Sequence, residues 1–199
     1  MLRLKTEASV LANATHLRTV PSPAASAADG AENLELLFKQ YHDQIFRAAY
    51  RVTGNALDAE DVLQTVFLRL VRRKGELELG PNPGSYLHRA AINAALDLLR
   101  ARSKSSSVPI EEVLGDLIET REAQPDKAQA SREVQRALRK AITKLNANAA
   151  EMFVLRYFEG YDNQEIASLL GTSKLVVGVI LHRTRARLRK ELGVYLEGN

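Results

Sequence analysis

The stretch from Asp162 to Lys190 limits the possible folds of this chain more than any other, because it carries the start and stop signals of two consecutive helices. Asp162 is followed three residues later by Glu165, which is the pattern of a capping box at a helix start. Gly171 suits the left-handed end of that helix. Ser173 then suits the N-cap of a second helix. The stretch therefore predicts a helix, a tight turn and a second helix.

The second helix combines an apolar face with a strongly basic far end. Its inward residues keep helical spacing: Val177, Leu181 and Leu188. Its cations follow closely: Arg183, Arg185, Arg187, Arg189 and Lys190. Two helices joined by a glycine-containing turn form a helix-turn-helix, whose second helix enters the major groove of DNA. An ordinary helical hairpin with a solvated basic end is the alternative, and the coincidence of caps and cations favours DNA binding.

Composition narrows the remaining classes of protein. The chain has 199 residues, 45% of them hydrophobic, which is enough for one core or two small ones. It has no cysteine, so disulfides and thiolate metal sites are excluded. No apolar run approaches the roughly eighteen residues of a membrane helix, and the start does not resemble a secretory signal. These features predict a cytoplasmic protein with no membrane partner.

Helical periodicity extends through most of the chain and predicts an all-α fold. Five further helices are expected: Asn33–Thr53, one capped by Asp58, Ser85–Ser103, Ser131–Leu145 and Ala147–Phe158. The first three form one compact unit. The last two join the helix-turn-helix to make a unit of about four helices.

Changes in composition divide the chain into four parts. Residues 1–31 have little periodicity and predict a disordered leader. Residues 32–104 form the first helical domain, and residues 131–193 form the helix-turn-helix domain. Residues 105–130 form an acidic linker, because six acids and one base lie between Pro109 and Asp126. The alternative is a plain soluble tether whose charge has no binding role.

Sequence patterns of catalysis and metal binding are absent. The four histidines, His16, His42, His88 and His182, share no ligand spacing. The chain also lacks a glycine-rich phosphate loop and a G-x-S-x-G elbow. We therefore predict no catalytic residues, no metal, no cofactor and no enzymatic activity.

Two separated pieces of the sequence together resemble one family. The first runs AEDVLQTVFLRLVRR (59–73) and then YLHRAAINAALDLLRARSK (86–104). The second runs AEMFVLRYFEGYDNQEIASLLGTS, followed by LHRTRARLRK. The chain resembles bacterial sigma factors of the sigma-70 family, in the two-domain extracytoplasmic function (ECF) group. The helix-turn-helix alone would equally suit a LuxR-type regulator, but residues 33–104 contain no strand signal for a receiver domain.

The resemblance implies partners for the first domain. Asp61 and Gln64 would lie on the helix that docks on the β′ clamp helices of core RNA polymerase. The promoter −10 element would be read as single-stranded DNA near Asn93, which matches the family's asparagine. The residues implied in −10 binding are Tyr86, Arg89, Asn93, Arg100 and Arg102. The acidic linker would run toward the RNA exit path. The resemblance also implies an anti-sigma factor as a further partner.

The second domain would read the −35 element as duplex DNA. The residues implied are Ser173, Lys174, Gly178, Val179, His182, Arg183, Arg185 and Arg187. The helix departs from the family pattern, because Val176, Gly178, Val179 and Ile180 replace groups that could hydrogen-bond to bases. We therefore expect mainly phosphate contacts there, with apolar contact to thymine methyl groups. The alternative is that Val179 and Ile180 belong to the core or to a protein-binding face, as in a sigma-like inhibitor module.

Overall fold

The computed structural model describes the backbone of residues 23–72, 79, 82–105 and 125–196, and the side chains of residues 33–72, 79, 82–105 and 131–193. Within these ranges there are seven α-helices and no strand, which confirms the all-α prediction. The helices are α1 (Pro23–Thr53), α2 (Ala56–Arg72), α3 (Pro83–Lys104), α4 (Pro125–Thr143), α5 (Ala147–Tyr157), α6 (Asn163–Leu170) and α7 (Lys174–Leu196). Residues 1–22 of the predicted leader and 106–124 of the predicted linker lie outside the described residues.

Helices α1, α2 and α3 pack against one another and form the first unit. The largest fully buried side chains of this unit are Ile45, Val52, Val62, Val66, Leu87, Ile92 and Leu96. Phe38 and Tyr86, which helical spacing places on inward faces, are instead 42% and 37% exposed. Alanines such as Ala91 and Ala95 are fully buried on α3, where a small side chain lets helices approach closely. Burial of these apolar groups is the main stabilising contribution to the unit.

Helices α4 to α7 form the second unit, in which α7 packs against each of the other three. Its fully buried side chains include Ile142, Val154, Leu155, Ile166 and Val177. Leu181 and Leu188 are also buried, as the spacing predicts. Helix α3 then packs against α4 and α5, so the two units share a contact surface.

Some helices begin elsewhere than predicted. Helix α1 begins at Pro23, ahead of the expected Asn33, so residues 23–31 of the predicted leader are helical. This segment is rich in alanine, the strongest helix former. Helix α4 begins at Pro125, ahead of the expected Ser131, with proline in the first turn where its missing N–H costs nothing.

The cap of α2 was also predicted wrongly. Asp58 lies inside the helix and is buried, whereas Asn55 caps it by accepting a hydrogen bond from the Asp58 backbone N–H at 3.1 Å. Sequence pattern could not separate the two residues, because asparagine and aspartate are equally good caps. The buried position of Asp58 gives it a different role, as an ion-pair partner within the first unit.

Candidate nucleic-acid and partner interfaces

An exposed ridge runs along α2 on the side away from the core. The predicted docking residues Asp61 and Gln64 are both exposed there. Three large apolar side chains share the face: Leu57 is 58% exposed, Leu68 53% and Val71 52%. The positions 57, 61, 64, 68 and 71 alternate steps of four and three residues, which places all five on one line of the helix. We call this line the α2 ridge.

The ridge has the spacing by which one helix packs along another helix. An a/d repeat of apolar residues is the seam of a coiled coil, and clusters of exposed apolar groups mark interaction sites. The sequence interpretation found Asp61 and Gln64 but missed Leu57, Leu68 and Val71. The sequence did contain a signal for them. A separate stripe of apolar residues already accounts for the buried face of α2, so these three apolar residues lie on a second, outward face.

The predicted single-strand site on α3 faces the second unit. Arg89 donates from Nε to Oε1 of Glu151 at 2.8 Å, and from Nη1 to the backbone oxygen of Leu169 at 2.9 Å. Asn93 donates from Nδ2 to the same Glu151 oxygen at 3.2 Å. The structure thus brings Arg89 and Asn93 together around a carboxylate of α5.

The other three predicted residues of this site have separate surroundings. Tyr86 is 37% exposed near the start of α3. Arg100 donates to Asp97 at 3.0 Å on the helix surface. Arg102 makes two contacts with the buried carboxylate of Asp58, one of them a hydrogen bond from Nη1 to Oδ2 of 2.6 Å. Arg102 therefore ties α3 to α2.

A second ionic contact crosses between the units. Oε2 of Glu159 accepts a hydrogen bond from Nη1 of Arg51 at 2.6 Å and lies 3.0 Å from Nε2 of His88. Burial raises the pKa of the Glu159 carboxyl, but the hydrogen bond and charge of His88, together with Arg51, lower it by more. The net pKa lies below the ordinary 4.5, so Glu159 is ionised at neutral pH. Its partners could not be found from the sequence, since they lie far away along the chain.

The helix-turn-helix forms with the predicted caps. Oδ1 of Asp162 accepts from the backbone N–H groups of Gln164 and Glu165 at 2.7 and 2.8 Å, and Glu165 accepts in return from Asp162 at 2.7 Å. These backbone bonds lower the pKa of the Asp162 carboxyl. Gly171 has φ 63°, the left-handed cap that was predicted. The chain turns by 109° between α6 and α7, within the range of a helix-turn-helix.

The outward face of α7 is apolar near its start. Leu175 is 76% exposed, Val179 43% and Val176 40%. Ile180 is half-buried against the core, so the core alternative holds for Ile180 but not for Val179. Leu175 was missed by the sequence interpretation, although it lies four residues before Val179 on the same face.

Cations and polar groups lie at the start of α7 and along the helix beyond this apolar patch. Ser173 accepts a hydrogen bond from the Val176 backbone at 3.3 Å, which makes it the N-cap of α7. The predicted contact residues that are exposed on this helix are Lys174, His182, Arg183, Arg185 and Arg187. Arg187 also donates to the backbone oxygen of Lys144 at 3.0 Å. Gly178 is half-buried, with open space around it except for Asn163. Helix α7 therefore exposes an apolar patch near its start and cations along its length.

Other kinds of site have little support in the described part of the chain. No group of three or more His, Asp or Glu side chains there could hold a metal ion. No single described helix is long and apolar enough to cross a membrane, and α6 with α7 meets that test only as a sharply bent pair.

Comparison with known proteins agrees with this arrangement. The family model described as Sigma-70 region 2 matches residues 37–105, and the one described as Sigma-70, region 4 matches residues 135–188. The chain is 31% identical over 156 residues to the ECF sigma factor SigE of Mycolicibacterium smegmatis, covering 78% of this chain but only 60% of that relative's length. It is 32% identical over 170 residues to SigM of Mycobacterium tuberculosis, covering 85% of this chain and 82% of SigM.

A solved structure of the Bartonella quintana sigma factor RpoE, in complex with the anti-sigma factor NepR, aligns over 83% of this chain and 98% of that one, with 20% identity and a TM-score of 0.44. The two region models in their order, with the SigM similarity along most of both chains, establish the family. The chain belongs to the sigma-70 family of RNA polymerase sigma factors, in its extracytoplasmic function group.

Proposed function

We propose that this chain is a promoter-specificity subunit with no enzymatic activity of its own. It binds core RNA polymerase, directs it to promoters through the −10 and −35 elements, and acts in the cytoplasm with the polymerase. The observation that carries this proposal is the presence of regions 2 and 4 in one chain. A LuxR-type regulator is not favoured, because it does not account for region 2, and an inhibitor module is not favoured, because the similar proteins are named as sigma factors. An anti-sigma partner stays a prediction from the family resemblance.

The α2 ridge is the proposed docking surface for the β′ clamp helices. A helical partner can bury Leu57, Leu68 and Val71 along one seam. Asp61 and Gln64 lie between these apolar residues and supply hydrogen-bonding groups within the same contact. Mixed apolar and polar composition is typical of surfaces that must be soluble before they assemble.

The surface of α3 around Arg89 and Asn93 is the proposed site for the −10 single strand. An arginine and an amide donor can hold a phosphate and a base edge, and the exposed Tyr86 ring offers a surface for stacking. Arg100 and Arg102 remain proposed phosphate contacts. However, binding by Arg102 would remove the cation from the buried carboxylate of Asp58.

Helix α7 is the proposed reader of the −35 duplex. Leu175, Val176 and Val179 offer apolar contact to thymine methyl groups, which project into the major groove. Phosphate contacts come from the basic flanks, namely Lys174, Arg183, Arg185 and Arg187, with Ser173, Gly178 and His182 close to the groove. Affinity then depends mainly on charge, and base selectivity depends on a small apolar patch.

Transcription with purified components tests the proposal. Core polymerase with this chain should give promoter-dependent run-off transcripts from genomic fragments, and core alone should not. Leu68→Ala and Gln64→Ala should each weaken core binding, by about tenfold for Leu68, which is the scale of a central interface residue. The matched control is Gln40→Ala, an exposed glutamine on α1. No transcript would contradict the function, and equal affinities would contradict the docking surface.

A further inference from the structure

We propose that Leu175 and Val179 make binding of the −35 duplex sensitive to cytosine-5 methylation, because they detect a pyrimidine C5-methyl group without identifying the base that carries it. The inference rests on the proposed function, which places α7 in the major groove of the −35 element. It extends the thymine contact proposed above, since 5-methylcytosine carries the same group at the same ring position. The ligand class is then duplex DNA with C5-methyl groups, whichever pyrimidine bears them.

Leu175 and Val179 lie on the outward line of α7. They are four residues apart, so they share one face of the helix, and both remain exposed. The opposite face is buried through Val177, Leu181 and Leu188. Leu175 and Val179 therefore do not belong to the core. Their apolar surface is available to a partner, as exposed aliphatic groups at interaction sites are.

The charge of α7 indicates that this partner is DNA. The stretch from 174 to 190 contains no acid and six exposed cations, namely Lys174, Arg183, Arg185, Arg187, Arg189 and Lys190. A row of this kind neutralises the phosphates of a nucleic acid. The first residues of a recognition helix are those that reach base edges, and five of the six cations come after Val179. The helix thus presents apolar groups to the bases and cations to the phosphates.

The same stretch lacks the side chains that identify adenine and cytosine by hydrogen bonding. Adenine is read by asparagine or glutamine, and the amino group of cytosine is read by aspartate or glutamate. None of these four residue types occurs between positions 174 and 190. The amide nitrogen of Asn163 on α6 lies near Gly178, about a quarter turn of helix away from Val179. The C5-methyl group is therefore the feature of a pyrimidine that Leu175 and Val179 can distinguish.

Lys174 precedes Leu175 but is turned away from the same face. Successive residues of a helix are rotated by about 100°, which places Lys174 about 140° around the axis from Val179. Backbone hydrogen bonds within α6 lower the pKa of the Asp162 carboxyl, and the charge of Lys174 lowers it further. The Lys174 ammonium thus lies near Asp162, on the side of α7 that faces the start of α6. This position suits contact with a phosphate and leaves the bases to Leu175 and Val179.

Four versions of one base pair separate the methyl group from the identity of the base. Thymine and uracil differ only by this group and pair with adenine. Cytosine and 5-methylcytosine differ by the same group and pair with guanine. Burial of one methyl group strengthens binding about fourfold. We therefore expect each methylated base to bind about fourfold more tightly than its unmethylated counterpart, at the same position of the −35 element.

Competition binding to the complex of core polymerase and the full chain measures these ratios at one fixed salt concentration. The duplex carries the −35 region of a promoter mapped by run-off transcription, and each pyrimidine of the element is exchanged in turn. Val179→Ala should lose the methyl preference in both base pairs at one position, and Leu175→Ala should lose it at another. The matched control is Arg185→Ala, an exposed cation on the same helix. It should weaken binding of all four duplexes equally and keep both ratios, because phosphate contacts carry no base information.

Three results would overturn the inference. A preference for thymine over uracil, without one for 5-methylcytosine over cytosine, would show that the helix identifies the A·T pair itself. No methyl preference at any pyrimidine would leave the apolar patch to a protein partner. A methyl preference that both Leu175→Ala and Val179→Ala retain would assign the contact to other residues.

The inference and the proposed function fail in different ways. Absence of promoter-dependent transcripts from wild-type chain and core polymerase contradicts the function, and the inference with it. Normal transcription together with binding that ignores the methyl group contradicts the inference alone. Transcription at limiting polymerase should also favour a template whose contacted cytosine is methylated, and equal yields from the two templates would count against methyl detection.

Discussion

Removing the guanidinium of Arg102 separates a structural role from a DNA-binding role. In the structure Arg102 holds the carboxylate of Asp58, whose side chain is 3% exposed, while Arg102 itself is 27% exposed. Arg102→Ala removes this guanidinium from a buried carboxylate. We expect the first unit to lose stability for this reason, in the absence of any DNA.

The magnitude follows from the burial of the pair. Breaking a buried ion pair by removing one partner costs about 3–5 kcal/mol. Because Arg102 is partly exposed, we expect its removal to lower the free energy of unfolding by about 3 kcal/mol, the lower end of this range. For a chain of this size each kcal/mol lowers Tm by about 2–4 °C. Thermal and urea unfolding followed by circular dichroism should therefore show a fall in Tm of roughly 6–12 °C.

Two variants show whether the reasoning is correct. Arg100→Ala is the matched control, because its partner Asp97 is 61% exposed and such a pair contributes at most about 1 kcal/mol. Asp58→Asn in the Arg102→Ala background removes the buried charge and should recover much of the loss. Equal stability of the two arginine variants, or no recovery with Asp58→Asn, would refute the structural role of Arg102.

Three further outcomes are expected. Gly171→Ala should destabilise the second unit by about 1–2 kcal/mol, because φ at Gly171 is 63°, a left-handed conformation that alanine disfavours. The control Gly193→Ala, inside α7, should stabilise by up to about 1 kcal/mol, because alanine is the better helix former. Equal midpoints of urea unfolding for the two variants would contradict this. The pKa of Glu159 is lowered in the folded protein, so its contribution to stability is complete above pH 4.5 and is lost as the pH falls through the lowered value; the free energy of unfolding, measured by urea at a series of pH values, should fall more steeply in acid than that of Glu159→Gln, and equal slopes would contradict this. Replacing a contacted thymine by deoxyuridine in the −35 element should weaken binding by the wild-type protein about fourfold, the effect of one buried methyl group. Val179→Ala should bind the two DNAs equally. An equal loss in the wild type and in Val179→Ala would show that Val179 does not contact this methyl group.

Local signals in the sequence were enough to predict much of this structure. The capping box at Asp162 and the left-handed Gly171 depend only on neighbouring residues, and the structure confirms both. The apolar faces of the helices follow from spacing in the same way. The start of α1 was missed because alanine-rich sequence has helix propensity without an amphipathic pattern.

Contacts between distant residues could not be predicted from the sequence. Arg51 and Glu159 are separated by 108 positions, and Arg89 and Glu151 by 62. Nothing in local spacing distinguishes these glutamates from solvated ones. The burial of Asp58 is similar, because its partner Arg102 lies 44 positions away on another helix. The DNA-contact residues and the docking residues themselves stay predictions.

The position of Arg89 and Asn93 on α3 links two properties that regulators often adjust separately. In the structure both side chains donate to Glu151 of α5, and in the proposed function both contact the −10 strand. A substitution of either residue that alters base preference would therefore also alter the contact between α3 and α5. Compensation for the lost contact would have to arise on α5, outside the proposed DNA-binding surface.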